Sequence, residues 1–144
     1  GYIITAQAAI TNTSIGVLNG VFYNAATTLK PTWSAHYTDV TPANSENTTA
    51  FVIDNPFQLY VTSFDTAIPI ANMGKTFGMS TITGSTLSGQ STNSMLLAGG
   101  HATANTWRTV RIAEDPENED ITATQCSVVV VQNLNQYATG VTMA

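Results

Sequence analysis

Five of the nine acidic residues lie in one short segment, RIAEDPENEDIT, at positions 111–122. Carboxylates this close together are candidates for binding calcium. An EF-hand loop needs Asp-x-[Asp/Asn]-x-[Asp/Asn]-Gly, because alternate oxygen ligands must converge while Gly permits the sharp bend. Here Asp115 is followed by Pro116 and the segment contains no Gly, so the EF-hand pattern fails. A weaker calcium site made by Asp115, Glu117 and Glu119 stays open as an alternative.

The same carboxylates are candidates for the acid and base of glycoside hydrolysis. Such a pair faces across a cleft, with one member kept protonated by an apolar pocket, whereas five acids in one polar segment are expected to be hydrated and ionised. A turn explains the segment more simply, because Pro116 fixes φ and Asp115 and Asn118 can accept hydrogen bonds from nearby backbone N–H groups. We predict a solvated connector between two strands; a polysaccharide hydrolase using Glu117 and Glu119 is the least favoured alternative.

Other chemistry-bearing residues form no recognisable site. His36 and His101 are too few for zinc, which normally takes three or four clustered ligands. The chain has neither a Gly-x-Ser-x-Gly elbow nor a Gly-x-x-x-x-Gly-Lys-Ser/Thr phosphate loop. Cys126, in the run CSVVVVQ, is predicted to be a buried, inert thiol. The prediction is therefore a protein that is not an enzyme, with no catalytic, cofactor-binding or metal-binding residues.

Composition limits both the fold and the partners. Only 9% of the residues are charged while 43% are hydrophobic, and an ordinary soluble domain has roughly 25% charged residues. The 24 Thr and 12 Asn residues must therefore supply most of the polar surface, and β-branched Thr suits a half-exposed strand. The net charge of -5 argues against nucleic acid and anionic membranes as partners. These features indicate an all-β protein.

Aromatic residues offer a second kind of site. Several on one exposed face would make a sugar-stacking platform, although burial is the commoner outcome for aromatic side chains in strands. Both interpretations stay open at this point. The residues concerned are Trp33, Trp107, Tyr2, Tyr23, Tyr37, Tyr60 and Tyr137.

Short apolar or alternating runs separated by turn residues predict the strands in the first half of the chain. SIGVLNGVFYN, at 14–24, reads as one or two strands, with Asn19-Gly20 a candidate type I′ hairpin turn. TAFVID and FQLYVTSF flank Asn55-Pro56 and are predicted to pair as a hairpin. Alternation in the second run places Phe57, Leu59 and Val61 on one face, opposite Tyr60, Thr62 and Phe64. In DTAIPIANMGKTFG, Pro69 and Gly74 permit one short helical turn.

In the second half, STIT at 80–83 and SMLL at 94–97 are predicted to pair as strands. WRTVRI reads as a strand with Trp107, Thr109 and Arg111 opposite Arg108, Val110 and Ile112. ITATQCSVVVVQ is predicted to form the next strand, and its continuous apolar run to lie at the centre of a sheet, covered on both faces.

Roughly eight to ten short strands with at most one helical turn predict the fold class: a single β domain over 1–144, built as a β-sandwich or β-barrel of jelly-roll-like kind. The apolar start of the chain is a possible N-terminal arm at 1–14. Tyr2, Ile3 and Ile4 are its candidate partner-contact residues.

The order of several segments between residues 49 and 137 resembles capsid decoration (cement) proteins of tailed, podovirus-like bacteriophages. These share a strand that ends in Asp near Pro, a tract with Thr-x-x-Gly-x-Ser, an Arg-Ile strand entering a Pro-acid-Asn-acid turn, and a Val-rich strand ending near Asn and Tyr. The matching residues are Asp54 and Pro56; Thr86, Gly89 and Ser91; Arg111, Ile112, Pro116, Glu117, Asn118 and Glu119; Val128, Val129, Val130 and Val131; Asn135 and Tyr137.

The resemblance implies a non-enzymatic virion protein on the outer surface of the capsid, which binds the major capsid protein and stabilises the head. It also implies self-association, with a homotrimer expected from the closed symmetry of such proteins. A carbohydrate-binding or adhesin-type β module on a virion or cell surface is the alternative, motivated by the aromatic residues and the surface rich in Thr and Asn.

Overall fold

The computed structural model describes residues 15–36, 48–79, 94–97, 105–116, 120, 122–135 and 137. Within these ranges the chain forms eight strands in two antiparallel sheets and one 3₁₀ turn. The predicted all-β class, with at most one short helical turn, is therefore confirmed, and two antiparallel sheets are consistent with a sandwich or barrel. The strands are β1 (Val17–Asn24), β2 (Pro31–Ser34), β3 (Thr49–Ile53), β4 (Leu59–Ser63), β5 (Thr76–Met79), β6 (Met95–Leu96), β7 (Trp107–Ile112) and β8 (Ser127–Gln132).

The described residues fall into two compact units, each with one sheet. The first contains residues 16–36 and 48–54; the second contains residue 15 and those from 55 onward. The single domain over 1–144 stays a prediction. The arm at 1–14, with Tyr2, Ile3 and Ile4, and the STIT segment lie outside the described residues. No helix in the described part of the chain is long and apolar enough to span a membrane.

The first unit is a three-stranded sheet in the order β2-β1-β3. β1 is one strand with a register irregularity between Leu18 and Gly20, so the predicted hairpin turn at Asn19-Gly20 is wrong. A type I′ turn needs positive φ at both central residues, which Gly20 lacks. Glycine at this position lets the Trp33 indole approach the backbone of β1, because a Cβ on Gly20 would lie 2.4 Å from Cζ2 of Trp33.

The turn after β3 forms where its residues predicted it. The Asn55 side-chain Oδ1 accepts a hydrogen bond of 3.0 Å from Phe57 N, and its backbone carbonyl accepts one of 3.1 Å from Gln58 N. The predicted hairpin of the flanking strands is nevertheless wrong, since β3 pairs with β1 whereas β4 pairs with β8. Turn chemistry specifies a local reversal, but the strand partners are set by tertiary packing.

The second unit is a five-stranded sheet in the order β4-β8-β7-β5-β6. β8 lies between β4 and β7 and buries five of its six residues, which confirms the predicted central strand. Val128 and Val130 share a core cluster with two fully buried rings, Phe64 and Phe77, which pack edge-to-face with centroids 4.9 Å apart. The buried core of this unit comprises Phe64, Ile68, Phe77, Met95, Cys126, Val128 and Val130.

A register irregularity between Thr109 and Arg111 changes the faces of β7. Thr109 and Ile112 lie opposite Val130 and Val128, so both join the packed side together with Trp107. The predicted grouping of Trp107 and Thr109 with Arg111 is therefore wrong. The extra residue of a bulge breaks the two-residue alternation on which that prediction rested.

The predicted helical turn is a 3₁₀ turn at Ile70–Asn72, preceded by Pro69. Gly74 follows with φ +80°, a backbone conformation that favours glycine. The buried hydroxyl of Thr109 lies 3.1 Å from the carbonyl oxygens of Asn72 and Lys75. These contacts fasten the turn to β7.

Candidate functional site: exposed sheet faces

The described acidic residues after β7 engage their own backbone and neighbours. Arg111 Nη1 and Glu114 Oε1 are 2.9 Å apart, and both side chains are more than half exposed. The backbone N–H of Asp115 donates to the carbonyl of Ala113 at 3.0 Å. Glu117 and Glu119, which a weak calcium site or a hydrolase would need, lie outside the described residues.

Asp120 closes the segment. Its Oδ1 accepts hydrogen bonds from the hydroxyl of Thr122 at 2.6 Å and from the Thr122 backbone N–H at 2.9 Å. These bonds hold the pKa of the exposed Asp120 carboxyl below its usual value. β8 then begins at Ser127, so the strand predicted from residue 121 starts too early. Residues 122–125 form turns and a bend, with Gln125 at φ +67°. A catalytic acid needs a raised pKa, and Asp120 has the opposite shift.

The remaining chemistry-bearing side chains are scattered. His36 is half-buried, and His101 lies outside the described ranges. Cys126 is buried, as predicted. In the part of the chain that the structure describes, no three His, Cys, Asp or Glu residues cluster as metal ligands would.

Two of the candidate platform aromatics pack against the core. Trp107 and Tyr60 meet edge-to-face with ring centroids 5.5 Å apart and lie against the core of the second unit. Burial raises the pKa of the Tyr60 hydroxyl. Tyr23 is buried in the first unit. Tyr2 and Tyr37 lie outside the described residues. The exposed candidates are therefore Trp33, in the first unit, and Tyr137, which is 65% exposed, in the second.

Trp33 belongs to an exposed aromatic cluster on one face of the three-stranded sheet. Phe22 on β1 is paired with Trp33 on β2, and Gly20 on β1 is paired with Phe51 on β3. Because Gly20 has no side chain, the indole of Trp33 lies across the middle strand and reaches the ring of Phe51. The two ring centroids are 5.1 Å apart at an angle of 58°.

We call this surface the aromatic face and define it as Phe22, Trp33, Phe51 and Ile53. The exposed fractions are 41% for Phe22, 51% for Trp33 and 46% for Phe51, which is high for large apolar rings on a single sheet. The opposite face of β1 carries the buried Leu18, Val21 and Tyr23. The middle strand β1 therefore buries apolar side chains on one side, while the aromatic face on the other side is exposed to solvent.

A second apolar surface lies on the five-stranded sheet. Val61 is 66% exposed and Leu59 48%, while Phe64, on the other side of β4, is fully buried; the predicted alternation is thus confirmed. Val131 pairs with Leu59 on β4 and with Arg108 on β7. Val129 pairs in the same way with Val61 and Arg111. We call Leu59, Val61, Arg108 and Arg111 the mixed face, since it joins exposed aliphatic and basic side chains.

These two surfaces can be predicted from the sequence only in part. Trp33 was a candidate, but Phe22, Phe51 and Gly20 were missed. One signal was present in TAFVI, a continuous apolar run whose residues lie in a strand exposed along its whole length. A strand that is apolar at consecutive positions exposes hydrophobic side chains unless both of its faces are covered.

Comparison with known protein families, curated proteins and solved structures gives no match for this chain.

Proposed function

We propose that this chain is a non-enzymatic capsid decoration protein of a tailed bacteriophage, which binds the outside of the head and stabilises it. The observation that carries the proposal is the presence of two exposed apolar sheet faces, the aromatic face and the mixed face. A protein that fastens a lattice must hold at least two neighbours, so it needs more than one docking surface. A binding module for a single ligand needs only one.

The composition of these faces suits protein docking. Binding energy at protein interfaces is concentrated in a few aromatic and Arg residues surrounded by contacts that exclude water. Trp33 and Phe51 supply an aromatic centre on one face, and Arg108 and Arg111 supply guanidinium groups on the other. With only 9% of the residues charged, such contacts depend little on ion pairs, so salt should weaken them little.

The proposal is tested by adding the purified protein to heads of its own phage that lack it, then measuring co-sedimentation and resistance to heating and chelation. We expect saturable binding and a higher temperature of head disruption. Val61→Lys and Leu59→Lys, on the mixed face, should weaken binding at least tenfold. Thr124→Lys is the matched control, because it adds the same charge at an exposed turn residue. Wild-type protein that neither binds nor protects the heads would rule the function out.

A glycan-binding module is the second candidate, and the half-exposed indole of Trp33 beside Phe51 favours it specifically. Sugars stack on exposed aromatic rings, and binding would quench Trp33 fluorescence. The assay is a glycan titration of the wild type and of two variants, Trp33→Phe and Trp107→Phe. Quenching that survives in Trp107→Phe but disappears in Trp33→Phe would support this candidate; no quenching by any glycan would eliminate it.

A further inference from the structure

We infer that β4, along its edge away from β8, binds an extended segment of the capsid protein through backbone hydrogen bonds, so that the segment becomes an added strand of the sheet. The inference deepens the proposed function and rests on it, because the capsid protein is the partner proposed there. β4 is the first strand in the sheet order β4-β8-β7-β5-β6, so it has a single neighbour along its length in that order. The direction of its backbone groups determines what its other edge can bind.

Backbone hydrogen bonds to β8 alternate along β4. Phe64 directly follows β4, and its N–H donates at 3.4 Å to the carbonyl of Cys126, which directly precedes β8. The two residues therefore continue the antiparallel register as a hydrogen-bonded pair. Along a strand, residues on alternate sides of such a pair direct their N–H and C=O groups to opposite edges. The backbone groups of Leu59, Val61 and Ser63 consequently point away from β8, and we call them the open edge.

The two ends of the open edge are partly covered, and its middle is not. At one end the carbonyl of Leu59 accepts a hydrogen bond of 3.0 Å from the side-chain amide of Gln58. At the other end a parallel bridge joins Phe64 to Met95. Among the described residues, the N–H and C=O groups of Val61 have no hydrogen-bond partner. Val61 is also 66% exposed, so a second backbone can reach these groups.

The open edge lacks the features that normally keep an edge strand from pairing with another chain. Natural edge strands are protected by charged side chains, proline or bulges. The register of β4 with β8 is continuous, and residues 57–64 contain neither a charged residue nor proline. By contrast β2, an edge strand of the first unit, begins with Pro31 directly after Lys30. An uncharged row of accessible backbone donors and acceptors is complementary to the backbone of another extended chain.

The mixed face limits which side chains the bound segment carries. Alternate residues of an added strand lie beside Leu59 and Val61, at the usual strand spacing of about 4.8 Å. Both of these side chains are exposed and apolar, so we expect β-branched or aromatic residues at alternate positions of the segment. At most the five residues of β4 can pair. Each backbone hydrogen bond contributes about 0.5–1.5 kcal/mol net, so the pairing adds to docking of the faces and does not replace it.

The test compares two substitutions at Val61 in binding to phage heads that lack the protein. Val61→Pro removes the N–H of the open edge and keeps an apolar side chain, and it breaks no bond to β8 because that N–H points away. Val61→Ala is the matched control, since it trims the side chain and keeps the N–H. With both variants folded by urea unfolding, we expect Val61→Pro to bind at least tenfold more weakly than Val61→Ala. Equal binding would overturn the inference, because docking would then use side chains alone.

Hydrogen exchange of the wild type gives a second readout, which decides the matter even where Val61→Pro does not fold. In the free protein the amides of Tyr60 and Thr62 should be protected by β8, whereas the amide of Val61 should exchange as an unpaired one. Binding to the heads should slow exchange at Val61 at least tenfold. An amide of Val61 already protected in the free protein, or one unchanged on the heads, would overturn the inference.

The remaining outcomes separate other occupants and the proposed function. A free protein whose mass doubles with concentration, with the doubling abolished in Val61→Pro, would assign the open edge to a second copy and overturn the capsid assignment. Wild-type protein that does not bind the heads rejects the proposed function and this inference with it. Wild-type protein that binds them without any change of exchange at Val61 rejects the inference alone.

Discussion

Replacing Gly20 with Ala should destabilise the first unit through a collision with Trp33. The added Cβ would lie 2.4 Å from Trp33 Cζ2 and 2.8 Å from the backbone oxygen of Ser34, so the indole must move. Overpacking of this kind costs about 1–3 kcal/mol, and loss of the Trp33–Phe51 ring contact costs about 0.5–1.5 kcal/mol more. About 0.5–1 kcal/mol of this is offset, because Ala loses less backbone entropy than Gly in a strand. We expect a net loss of about 1–4 kcal/mol from urea unfolding followed by circular dichroism, and a melting temperature lower by about 3–16 °C.

A double-mutant cycle isolates the cause. In a Trp33→Ala background the ring is already absent, so Gly20→Ala meets only the Ser34 oxygen. The lower backbone entropy cost of Ala than of Gly in a strand is the same in both backgrounds, so it cancels in the cycle. The substitution should then cost at least about 1 kcal/mol less than in the wild type, which is a measurable coupling. An equal cost in both backgrounds would refute the idea that glycine is present to let the indole cross β1.

Three further expectations concern the second unit. Val130→Ala should cost about 1.5–3 kcal/mol in urea unfolding, because Val130 is 1% exposed, whereas the exposed Val61→Ala should cost less than about 0.5 kcal/mol. Thr109→Val should cost about 1 kcal/mol in the same assay, since the shape is kept while the hydroxyl, whose single proton lies near two backbone carbonyls, is lost as a donor. Because the folded-state pKa of Asp120 is lowered, its contribution to stability is present above its unfolded pKa near 4 and is lost as pH falls through the lower folded value. The free energy of unfolding, measured in urea at pH 6 and at pH 3, should therefore fall less between these two values in Asp120→Asn than in the wild type.

Signals of a single strand or turn could be predicted from the sequence, because they depend on neighbouring residues alone. The four consecutive valines of β8 indicated a strand covered on both faces, and Pro69 with Gly74 indicated the 3₁₀ turn. Strand partners could not be predicted in the same way. The turn at Asn55 has the residues of a hairpin, yet its two strands join different sheets. Pairing is decided by which distant surface each strand covers, and that information is not local.

The exposed faces required knowledge of pairing as well. Phe22, Trp33 and Phe51 are far apart in the sequence and meet only because β2 and β3 both pair with β1. The apolar pattern of each strand, taken alone, is equally compatible with a buried ring. Gly20 is the clearest local indication of the aromatic face, since a glycine inside a strand often marks a bulge or a close approach by another group.

A bulge also prevents the faces of β7 from being predicted by alternation, and a deletion can test this explanation. If Val110 is the extra residue there, deleting it leaves Trp107, Arg108, Thr109, Arg111 and Ile112 in regular alternation. Its core-facing and solvent-facing residues then keep the sides that they already occupy. We therefore expect the deletion to preserve a cooperative unfolding transition and to cost about 1–2 kcal/mol.

Deleting Val61 from β4 is the matched control, because it removes an exposed valine from the same sheet where the register is continuous. That deletion forces either Tyr60 or the fully buried Phe64 onto the solvent side. Removing a buried aromatic ring from a core costs about 3–5 kcal/mol, so this variant should be much less stable or fail to fold. Equal losses in the two deletions, compared by urea unfolding, would mean that the irregularity in β7 is itself needed for packing and that alternation alone does not explain the faces of this sheet.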